Sequence, residues 1–509
     1  MVREPSRDDH RATWANRADG AVTSLGRTIT ETAAARPDET ALVFADAGEP
    51  PRSYTWAELD RRSNQIARLL ADHGLGPGGV VGVALSNSPE HVLSTIAGWK
   101  VGACVVPLRW DLPAWERDRV LAVLDPTVLI ADWTDAPCPT LGPPELAAAS
   151  TLADGILPDQ VPNPATGIAT GGSTGTPKIV IRATPGEMET WTPLSDRQLL
   201  RHPRNVHLVA SPLYHTNGFV LGQSALQWGD RIVLMARFDP ALVLDLVEEY
   251  RVDAMTMVPT MLARITRVPG VAERDLSSLS YVRAGGGPCP PWLARAWIDL
   301  VGPDRFLIGY GASERIGGTT ITGREWLDHP GSVGRPAGVS VRIVGDDGRP
   351  RPTGEVGDIY MRAADEARWP PFEYRGDQRA SVIDDGFIGV GDVGWLDDDG
   401  YLYIADRRTD LIVSGGANVY PAEVEAALGE HPQVADVVVV GQPDPEWGQR
   451  VHAVVQPADP GHPPASGDLA DFCRARLAAY KIPKTWELRE TLPRTEAGKI
   501  NRGALRSDG

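Results

Sequence analysis

The sequence predicts an α/β protein with a large N-terminal domain and a small α+β C-terminal domain. The N-terminal domain is expected to hold parallel-rich sheets with crossover helices and, near its end, a β subdomain. Three observations support this prediction. Apolar strand-like runs alternate with helical patterns over about the first 310 residues, short strands and turns dominate from about residue 331, and a compact mixed segment follows residue 407. A chain of 509 residues also exceeds what one core accommodates.

The alternation begins with a helix predicted over residues 24–35 and a strand over Thr40–Ala45. Leu59, Ile66 and Leu70 then recur at the spacing of one helix face. Further helices are expected at residues 89–102 and 240–250, and strands at 80–85, 104–107, 128–131, 206–210, 230–235, 253–258, 280–283 and 305–308. Strand, helix and strand in series favour a parallel sheet with crossover helices. Residues 134–165, rich in Pro, Ala, Asp and Gly, are interpreted as a surface excursion.

Composition shifts along the chain suggest where the domains begin and end. We expect residues 1–22 to form a flexible tail, because they are polar and charged. Residues 23–407 are predicted to form the N-terminal domain, with the β subdomain over about 331–407. Residues 408–509 are predicted to form the C-terminal domain, which contains the apolar strand Val437–Val440.

Charge and cysteine content exclude several classes of protein. The net charge of −17 argues against nucleic acid or an anionic membrane as the main partner, although a local basic pocket can still bind a nucleotide. The four cysteines lack the spacing of metal ligands, which favours reduced thiols in a reducing compartment. No apolar run has the length of a membrane span, and the first 22 residues hold no signal-peptide core. We therefore expect a cytoplasmic protein without membrane insertion.

A loop rich in glycine and hydroxyl groups predicts a phosphate site. It consists of Thr170, Gly171, Gly172, Ser173, Thr174, Gly175, Thr176, Pro177 and Lys178. Glycines let backbone N–H groups approach an anion, hydroxyls add donors, and the lysine adds a positive charge. A flexible linker is the alternative, but the β-branched run Ile179–Ile181 that follows predicts a strand. A P-loop NTPase is disfavoured, since its motif ends in Gly-Lys-Ser/Thr before a helix.

Two further stretches follow predicted strands, at the edge where parallel sheets bind ligands. His215 lies in the segment Leu213–Gly218, and a histidine there is either structural or catalytic. The second stretch is a glycine-rich turn that either places a flat base against backbone or only joins a strand to a helix. That turn consists of Gly285, Gly286, Gly287 and Pro288.

Acidic residues at two other strand ends suit a nucleotide and its metal ion. Glu314 offers a hard oxygen ligand for Mg²⁺ and closes the stretch Tyr310, Gly311, Ala312, Ser313 and Glu314. Asp392 precedes a hairpin that ends at Arg407, and a carboxylate can bind both hydroxyls of a ribose. The alternative is that Asp397–Gly400 between them is only a hairpin turn.

The C-terminal segment adds a glycine loop and a lysine. The loop contains Ser414, Gly415 and Gly416. Lys499 follows Gly498 in the stretch Leu492–Ile500. A basic, turn-rich chain end is usually a solvated tail, but a short loop can also carry a lysine into a site.

Taken in order, these stretches resemble the adenylate-forming (ANL) superfamily, which includes acyl-CoA synthetases, luciferases and adenylation domains of peptide synthetases. The resemblance covers nearly the whole chain. It implies that Asp392 and Arg407 bind ribose, that the 285–288 turn binds adenine, and that His215 lies beside the acyl carboxylate. It also implies that Lys499 bridges the carboxylate and the α-phosphate during adenylation. Ser313 departs from the threonine of the family pattern but keeps the hydroxyl.

The resemblance further implies a mobile C-terminal domain. The domain would rotate between two half-reactions, so that Lys499 leaves and the 414–416 loop arrives to line the pantetheine tunnel. The family pivot is usually Asp or Lys, whereas this chain has Thr409. The expected cofactors are ATP, Mg²⁺ and coenzyme A, and the expected substrate is a small carboxylic acid.

The acid is expected to be bulky or aromatic. Residues 325–336 and 405–425 are similar to the corresponding stretches of ligases for bile-acid and steroid side chains. Tyr214, Asn217, Phe219 and Gly309 are the expected edges of the acid pocket.

Three alternatives stay open at this point. The acyl group could pass to a carrier protein, or the enzyme could adenylate nitrite for transfer to an aryl amine as a diazotase. A non-catalytic nucleotide sensor is disfavoured by Lys178, Glu314, Asp392 and Lys499. A homodimer is compatible with the sequence, but no stretch demands one.

Overall fold

The structure is a computed structural model that describes residues 23–171, 177–187, 205–363, 369–376, 379–495, 498, 500, 502 and 505. The predicted tail, residues 1–22, lies outside this part of the chain. No helix in the described ranges is long and apolar enough to cross a membrane.

The first part of the chain alternates helices and strands. Its elements are α1 (Leu25–Ala35), β1 (Thr40–Ala45), β2 (Arg52–Thr55), α2 (Trp56–Asp72), β3 (Val80–Ala84), α3 (Pro89–Lys100), β4 (Cys104–Pro107), α4 (Ala114–Leu124), β5 (Val128–Ala131), β6 (Thr140–Leu141) and α5 (Pro143–Ala148). Local chemistry sets the helix starts: Thr55 accepts a hydrogen bond from the backbone of Glu58, whose carboxylate accepts one from Thr55 N.

A four-stranded parallel sheet forms from this part, in the order β4-β3-β5-β6. The strands expected at 80–85, 104–107 and 128–131 are all present. The interval 134–165 is more ordered than a surface excursion, because β6 adds a strand to the sheet and α5 follows it. A two-residue strand is too short to show alternation in the sequence.

The middle of the chain continues the alternation. Its elements are β7 (Gly167–Gly171), β8 (Pro177–Arg182), β9 (Val206–Val209), α6 (Thr216–Gln227), β10 (Arg231–Met235), α7 (Pro240–Tyr250), β11 (Ala254–Met257), α8 (Pro259–Ile265), β12 (Tyr281–Gly285), α9 (Pro291–Val301), β13 (Phe306–Gly311), β14 (Gly318–Thr322) and α10 (Gly323–Asp328). Strands β1, β10, β9, β11, β12 and β13 pair in parallel in that order. This run confirms the predicted fold class.

The antiparallel strands that follow extend the same sheet. They are β15 (Ser332–Pro336), β16 (Val339–Val344), β17 (Gly357–Ala363), β18 (Phe372–Arg375), β19 (Ile388–Leu396) and β20 (Leu402–Arg407). All but β18 join the large sheet, whose 13 strands run β16-β17-β19-β20-β15-β14-β13-β12-β11-β9-β10-β1-β2. Strand β18 instead pairs with β8, which gives a separate sheet in the order β18-β8-β7.

The C-terminal segment has its own sheet. Its elements are β21 (Ile412–Ser414), β22 (Ala417–Val419), α11 (Pro421–Gly429), β23 (Val434–Asp444), β24 (Gly448–Pro457), α12 (Ser466–Arg474) and β25 (Thr485–Leu488). Strands β22, β21, β24 and β23 are neighbours in that order, and β25 pairs with β24. The predicted apolar run 437–440 lies inside β23 and is buried.

The two faces of β12 and β13 differ in a way that matters for the site. Val282 and Ile308 pack on one face into the large core that contains Trp297. Tyr281 and Leu307 pack on the other face in a much smaller cluster. Side chains alternate between faces along a strand, so residues 283, 285 and 309 belong to the second face, where glycines leave open space.

Candidate active site

The predicted phosphate loop connects two antiparallel strands. Thr170 of β7 pairs with Lys178 of β8, and Gly171 pairs with Pro177. The five residues between them, Gly172, Ser173, Thr174, Gly175 and Thr176, lie outside the described residues. A strand–loop–strand arrangement differs from the strand–loop–helix of a P-loop NTPase, in agreement with the sequence prediction.

Lys178 and Glu314 form an ion pair across the site. The distance from Lys178 Nζ to Glu314 Oε1 is 3.0 Å. Tyr374 of β18 donates a hydrogen bond of 2.7 Å to the same Oε1, and Lys178 Nζ lies 4.8 Å from the centre of its ring. Both donors bind Oε1, so among the described contacts Oε2 is the oxygen that could hold a metal ion.

The surroundings keep Glu314 ionised. Burial alone would raise the pKa of its carboxyl group, but the positive charge of Lys178 and the hydrogen bond from Tyr374 together outweigh burial and lower the pKa. The pKa of Tyr374 shifts in the opposite direction. Burial and the hydrogen bond to Glu314 raise it, so the hydroxyl group keeps its proton and remains a hydrogen-bond donor.

Asp392 and Arg407 lie side by side, as predicted for a ribose site. They are register partners on β19 and β20, and Arg407 Nε lies 3.6 Å from Asp392 Oδ1. Tyr310 donates a hydrogen bond of 2.7 Å to Asp392 Oδ2. Burial raises the pKa of Asp392, while the Tyr310 bond and the Arg407 charge oppose that change. The Arg407 side chain is 71% exposed and can therefore close over a ligand.

The start of α6 brings three predicted site residues, Tyr214, His215 and Asn217, to the same edge of the sheet. His215 is the N-cap of the helix, and its ring lies 4.5 Å from that of Tyr214. Thr216 Oγ1 lies 3.5 Å from Ser313 Oγ, and Asn217 donates a 3.3 Å hydrogen bond to the carbonyl of Gly285.

Phe219 lies elsewhere. It is fully buried and packs against Trp99 of α3, with ring centroids 6.2 Å apart. In this structure its ring supports α6 within the protein core, and Val220 is the residue of this turn that lines the cavity described below.

The predicted adenine turn follows β12 directly. Gly285 pairs with Gly309 of β13, so the glycine turn and the 309–314 stretch meet at one edge of the sheet. Gly286 has φ +81°, a conformation that favours glycine. Gly287 and Pro288 continue the turn, while Gly311 and Ala312 connect Tyr310 to Ser313.

A cavity of about 190 Å³ opens beside this edge. Ser313, Glu314 and Thr216 line it on one side, and the apolar residues Ile168 and Phe372 line it on another. Ligand pockets usually combine apolar walls with a few polar groups.

The chain end approaches this edge from the C-terminal segment. A Cβ on Gly498 would overlap Thr260 Oγ1 and lie 3.1 Å from Val258, at the carboxyl end of β11. Arg494 binds Asp436 and donates a 2.9 Å hydrogen bond to the carbonyl of Gly498. Lys499 itself lies outside the described residues.

The 414–416 loop, unlike Gly498, packs against its own C-terminal segment. Gly415 N donates a hydrogen bond to the carbonyl of Trp447, and the ring of Trp447 would lie 2.5 Å from a Cβ at Gly415. Ser414 ends β21 and Gly416 continues the turn. Thr409, the predicted hinge, occupies the turn between β20 and β21.

The sequence of the chain matches known protein families over both of its parts. Residues 29–368 match the family described as AMP-binding enzyme, and residues 423–499 match the AMP-binding enzyme C-terminal domain. The chain belongs to the AMP-binding enzyme family. Within it, the chain is placed in the acid–CoA ligase branch of the ANL superfamily, as the sequence predicted.

Named relatives of this AMP-binding enzyme are ligases. It is 36% identical over 479 residues to a feruloyl-CoA synthase of an Amycolatopsis species, covering 89% of this chain and 94% of the relative. It is 32% identical over 480 residues to a fatty acid–[acyl-carrier-protein] ligase of Streptomyces coeruleorubidus, covering 89% and 91%.

Solved structures of similar fold are also adenylate-forming ligases. The o-succinylbenzoate CoA synthetase of Bacillus subtilis, in complex with its acyl-adenylate intermediate, superposes with a TM-score of 0.80 at 28% identity, covering 95% of this chain and 98% of that one. The same synthetase has been solved with ATP and a magnesium ion. This AMP-binding enzyme is an AMP-forming acid–CoA ligase, and its cofactors are ATP, Mg²⁺ and coenzyme A.

The described residues of the ligase fit a magnesium ion. They contain no cluster of three or more His, Cys, Asp or Glu side chains that could hold a metal alone. Glu314 Oε2 offers one carboxylate oxygen, and Mg²⁺ is commonly held by one or two carboxylates together with substrate phosphates. When bound, the ion would offset the negative charge of the phosphates.

Sequence reasoning missed two residues of this site. Tyr374 binds Glu314 from a strand 60 residues further along the chain, and its only sequence signal is an aromatic residue in a short β run. Arg283 lies over Gly309, although the glycine turn beside it was recognised. Neither position can be assigned to the site without the strand pairing.

Proposed function

We propose that this ligase activates a bulky or aromatic carboxylic acid as an acyl-adenylate and transfers the acyl group to coenzyme A, releasing pyrophosphate and AMP. The observation that carries the proposal is the cavity that Glu314, Ser313, Arg182 and Arg315 line together with apolar residues of β7, β8 and β18. Such a cavity can hold an apolar acid with its carboxylate next to the nucleotide site.

Each candidate site residue has a role in the first half-reaction. Lys178 and the 170–176 loop hold the phosphates, and Glu314 holds the metal ion. Asp392 and Arg407 bind the ribose, while the turn at 285–288 holds the adenine. His215 orients the acid, and Lys499 stabilises charge as pyrophosphate leaves. Gly498 lies against Thr260, which supports delivery of Lys499 to this edge.

The second half-reaction needs a different arrangement. The 414–416 loop now faces Trp447, so we propose that the C-terminal domain turns about Thr409 after adenylation. The loop then lines the path of the coenzyme A thiol. Domain steps of this kind can limit turnover.

A carrier-protein thiol is the second candidate acceptor. It is supported by the 32% identity to a fatty acid–[acyl-carrier-protein] ligase over 89% of the chain. The described cavity does not favour one thiol over the other, because the phosphopantetheine arm is common to both.

AMP release by the purified ligase with ATP and Mg²⁺ tests the proposal. Aryl, cinnamoyl, indolyl, steroid side-chain and medium-chain fatty acids would each be supplied with and without coenzyme A or a carrier protein. Release that depends on one acid and coenzyme A supports the proposal. Release with nitrite and an aryl amine, indifferent to coenzyme A, would contradict it and indicate a diazotase.

A further inference from the structure

We propose that the hydroxyl group of Thr184 selects the acid, by forming a hydrogen bond with an oxygen group at the end of the acyl chain that lies away from its carboxylate. This inference rests on the proposed function and narrows its substrate class. It predicts an acid with a distal hydroxyl or similar oxygen group, in preference to an acid that ends in hydrocarbon.

The cavity lies over one face of the small sheet β18-β8-β7. Val180 of β8 pairs with Ile168 of β7, and both residues line the cavity. Alternate residues of a strand share a face, so Lys178 and Val180 lie on the same side of the sheet. Glu314, the ion-pair partner of Lys178, also lines the cavity. The cavity therefore begins beside this ion pair and continues along β8.

The same face continues to Thr184, beyond the end of β8. Arg182 is the last residue of the strand, but Ala183 N still donates a 2.9 Å hydrogen bond to the carbonyl of Pro371. Thr184 lies four residues after Val180, which is about 13 Å along an extended chain. Both Thr184 and Pro371 line the cavity, so they form its end away from the ion pair.

One of the four hydroxyl side chains that line the cavity has no partner within the described part of the chain. Thr166 donates a 2.8 Å hydrogen bond to the carbonyl of Val105, and Thr216 Oγ1 lies 3.5 Å from Ser313 Oγ. Thr184 is only 8% exposed, yet its Oγ1 makes no hydrogen bond with any described residue. A buried hydroxyl group of this kind costs free energy unless a ligand or a water molecule binds it.

The charged groups of the cavity are already engaged. Arg182 and Arg315 line it, and each takes part in interactions within the protein. The carboxylate of Glu314 accepts two hydrogen bonds from other side chains. Thr184 therefore offers a hydrogen bond that a ligand can complete. Because a hydroxyl group both donates and accepts, it can pair with a hydroxyl, ether or carbonyl oxygen.

The Thr184 hydroxyl group distinguishes acids by what it meets at the far end of the cavity. A methyl group placed there would exclude water and leave the hydroxyl group without a hydrogen bond. A substrate hydroxyl group of similar size would supply that bond. One hydrogen bond between neutral groups corresponds to about a 3- to 10-fold preference.

Pairs of acids that differ only in the end group measure this preference. The pairs are 4-hydroxycinnamate with 4-methylcinnamate and 8-hydroxyoctanoate with nonanoate, in which a methyl group replaces the hydroxyl group. Thr184→Val keeps the shape of the side chain without its hydroxyl group, and Thr184→Ser keeps the hydroxyl group. Ser278→Ala is the matched control, because Ser278 Oγ also has no described partner but does not line the cavity. The readouts are kcat/KM for AMP release and the Tm of each variant.

In the pair with the higher kcat/KM, the wild type, Thr184→Ser and Ser278→Ala should prefer the hydroxy acid. Thr184→Val should lose that preference by about 3- to 10-fold. It should not lower the Tm, because the lost hydroxyl group is buried without a hydrogen bond.

Two results would overturn the inference. The first is a wild type without the preference, or an unchanged preference in Thr184→Val, since a bound water molecule would then satisfy the hydroxyl group. The second is an equal loss of kcat/KM for both acids of a pair, because Thr184 would then only support the fold.

Failure of the proposed function gives a different result. If no acid releases AMP in the wild type, acid activation is wrong, but calorimetric titration of the same acid pairs in the presence of AMP still measures binding. A hydroxy acid that binds more tightly than its methyl counterpart to the wild type, but not to Thr184→Val, would still support the role of Thr184. Equal binding of the two acids, or no binding of either, would overturn it.

Discussion

Lys178 and Tyr374 donate to the same oxygen of Glu314: Lys178 Nζ lies 3.0 Å and Tyr374 Oη 2.7 Å from Oε1. The convergence fixes the orientation of the carboxylate. Since both donors bind Oε1, Oε2 is the oxygen that would hold Mg²⁺ in the proposed site.

Removing the negative charge at this position should disable metal-dependent adenylation. Glu314→Gln keeps the size of the side chain but offers Mg²⁺ a neutral oxygen. We expect the rate of ATP–pyrophosphate exchange to fall by about 10²- to 10³-fold, in the range seen when one stabilising group of a transition state is removed. Exchange at the wild-type rate across a magnesium titration would contradict the assignment.

Tyr374 should act through Glu314. Tyr374→Phe removes only the hydroxyl group, so the carboxylate loses one of the two donors that orient it. We expect the magnesium concentration at half-maximal exchange to rise about 10-fold, the lower end for a hydrogen bond to a charged group.

The matched control for Tyr374→Phe is Tyr360→Phe, because Tyr360 lies on β17 with its hydroxyl group 3.1 Å from Ser381 Oγ. This variant should leave the magnesium dependence unchanged. If both variants respond alike, the effect of Tyr374 is a general loss of stability and not an orientation of Glu314.

Local sequence signals were sufficient for the fold class and for the strand-end motifs. Short β-branched runs such as Val128–Ala131 are buried strands in the structure, and Asp392 lies beside Arg407 as expected. Both signals are local, because a buried strand and a hairpin are set by neighbouring residues.

Contacts between distant segments could not be predicted. Tyr374 reaches Glu314 only because β18 pairs with β8, and Arg283 covers Gly309 only because β12 and β13 are in register. The sequence also suggested Phe219 as a pocket edge, whereas its ring packs against Trp99. A helix face cannot be assigned to pocket or core from spacing alone when both are apolar.

Lys499 should serve only the first half-reaction. Lys499→Ala should lower acid-dependent ATP–pyrophosphate exchange by about 10²- to 10³-fold, because one cation that stabilises the departing phosphate charge is lost. Transfer from a supplied acyl-adenylate to coenzyme A should be spared. Lys481→Ala, which breaks an ion pair with Glu423 in the same segment, is the control and should affect neither step. Equal loss of both steps in Lys499→Ala would refute the division of roles.

Asp406 should make stability depend on pH at the junction with the C-terminal segment. Its Oδ2 accepts a 2.9 Å hydrogen bond from Ala422 N at the start of α11, and burial raises the pKa of Asp406 to about 6. The folded state therefore binds the proton more tightly than the unfolded state does. The protonated carboxyl group therefore stabilises the folded state. This stabilisation is fully present below pH 4 and is lost as the pH rises through 6, which lowers the free energy of unfolding by roughly 3 kcal/mol at most.

Asp406→Asn tests this pH dependence, because asparagine keeps an acceptor for Ala422 N and does not titrate. Urea unfolding between pH 4.5 and about 7.5 should show the variant gaining stability relative to the wild type as the pH rises. Asp459→Asn is the control: Asp459 is exposed, and its bond to His462 lowers its pKa, so no gain in that direction is expected. A constant difference between Asp406→Asn and the wild type over this range would show that Asp406 is already ionised at pH 4.5.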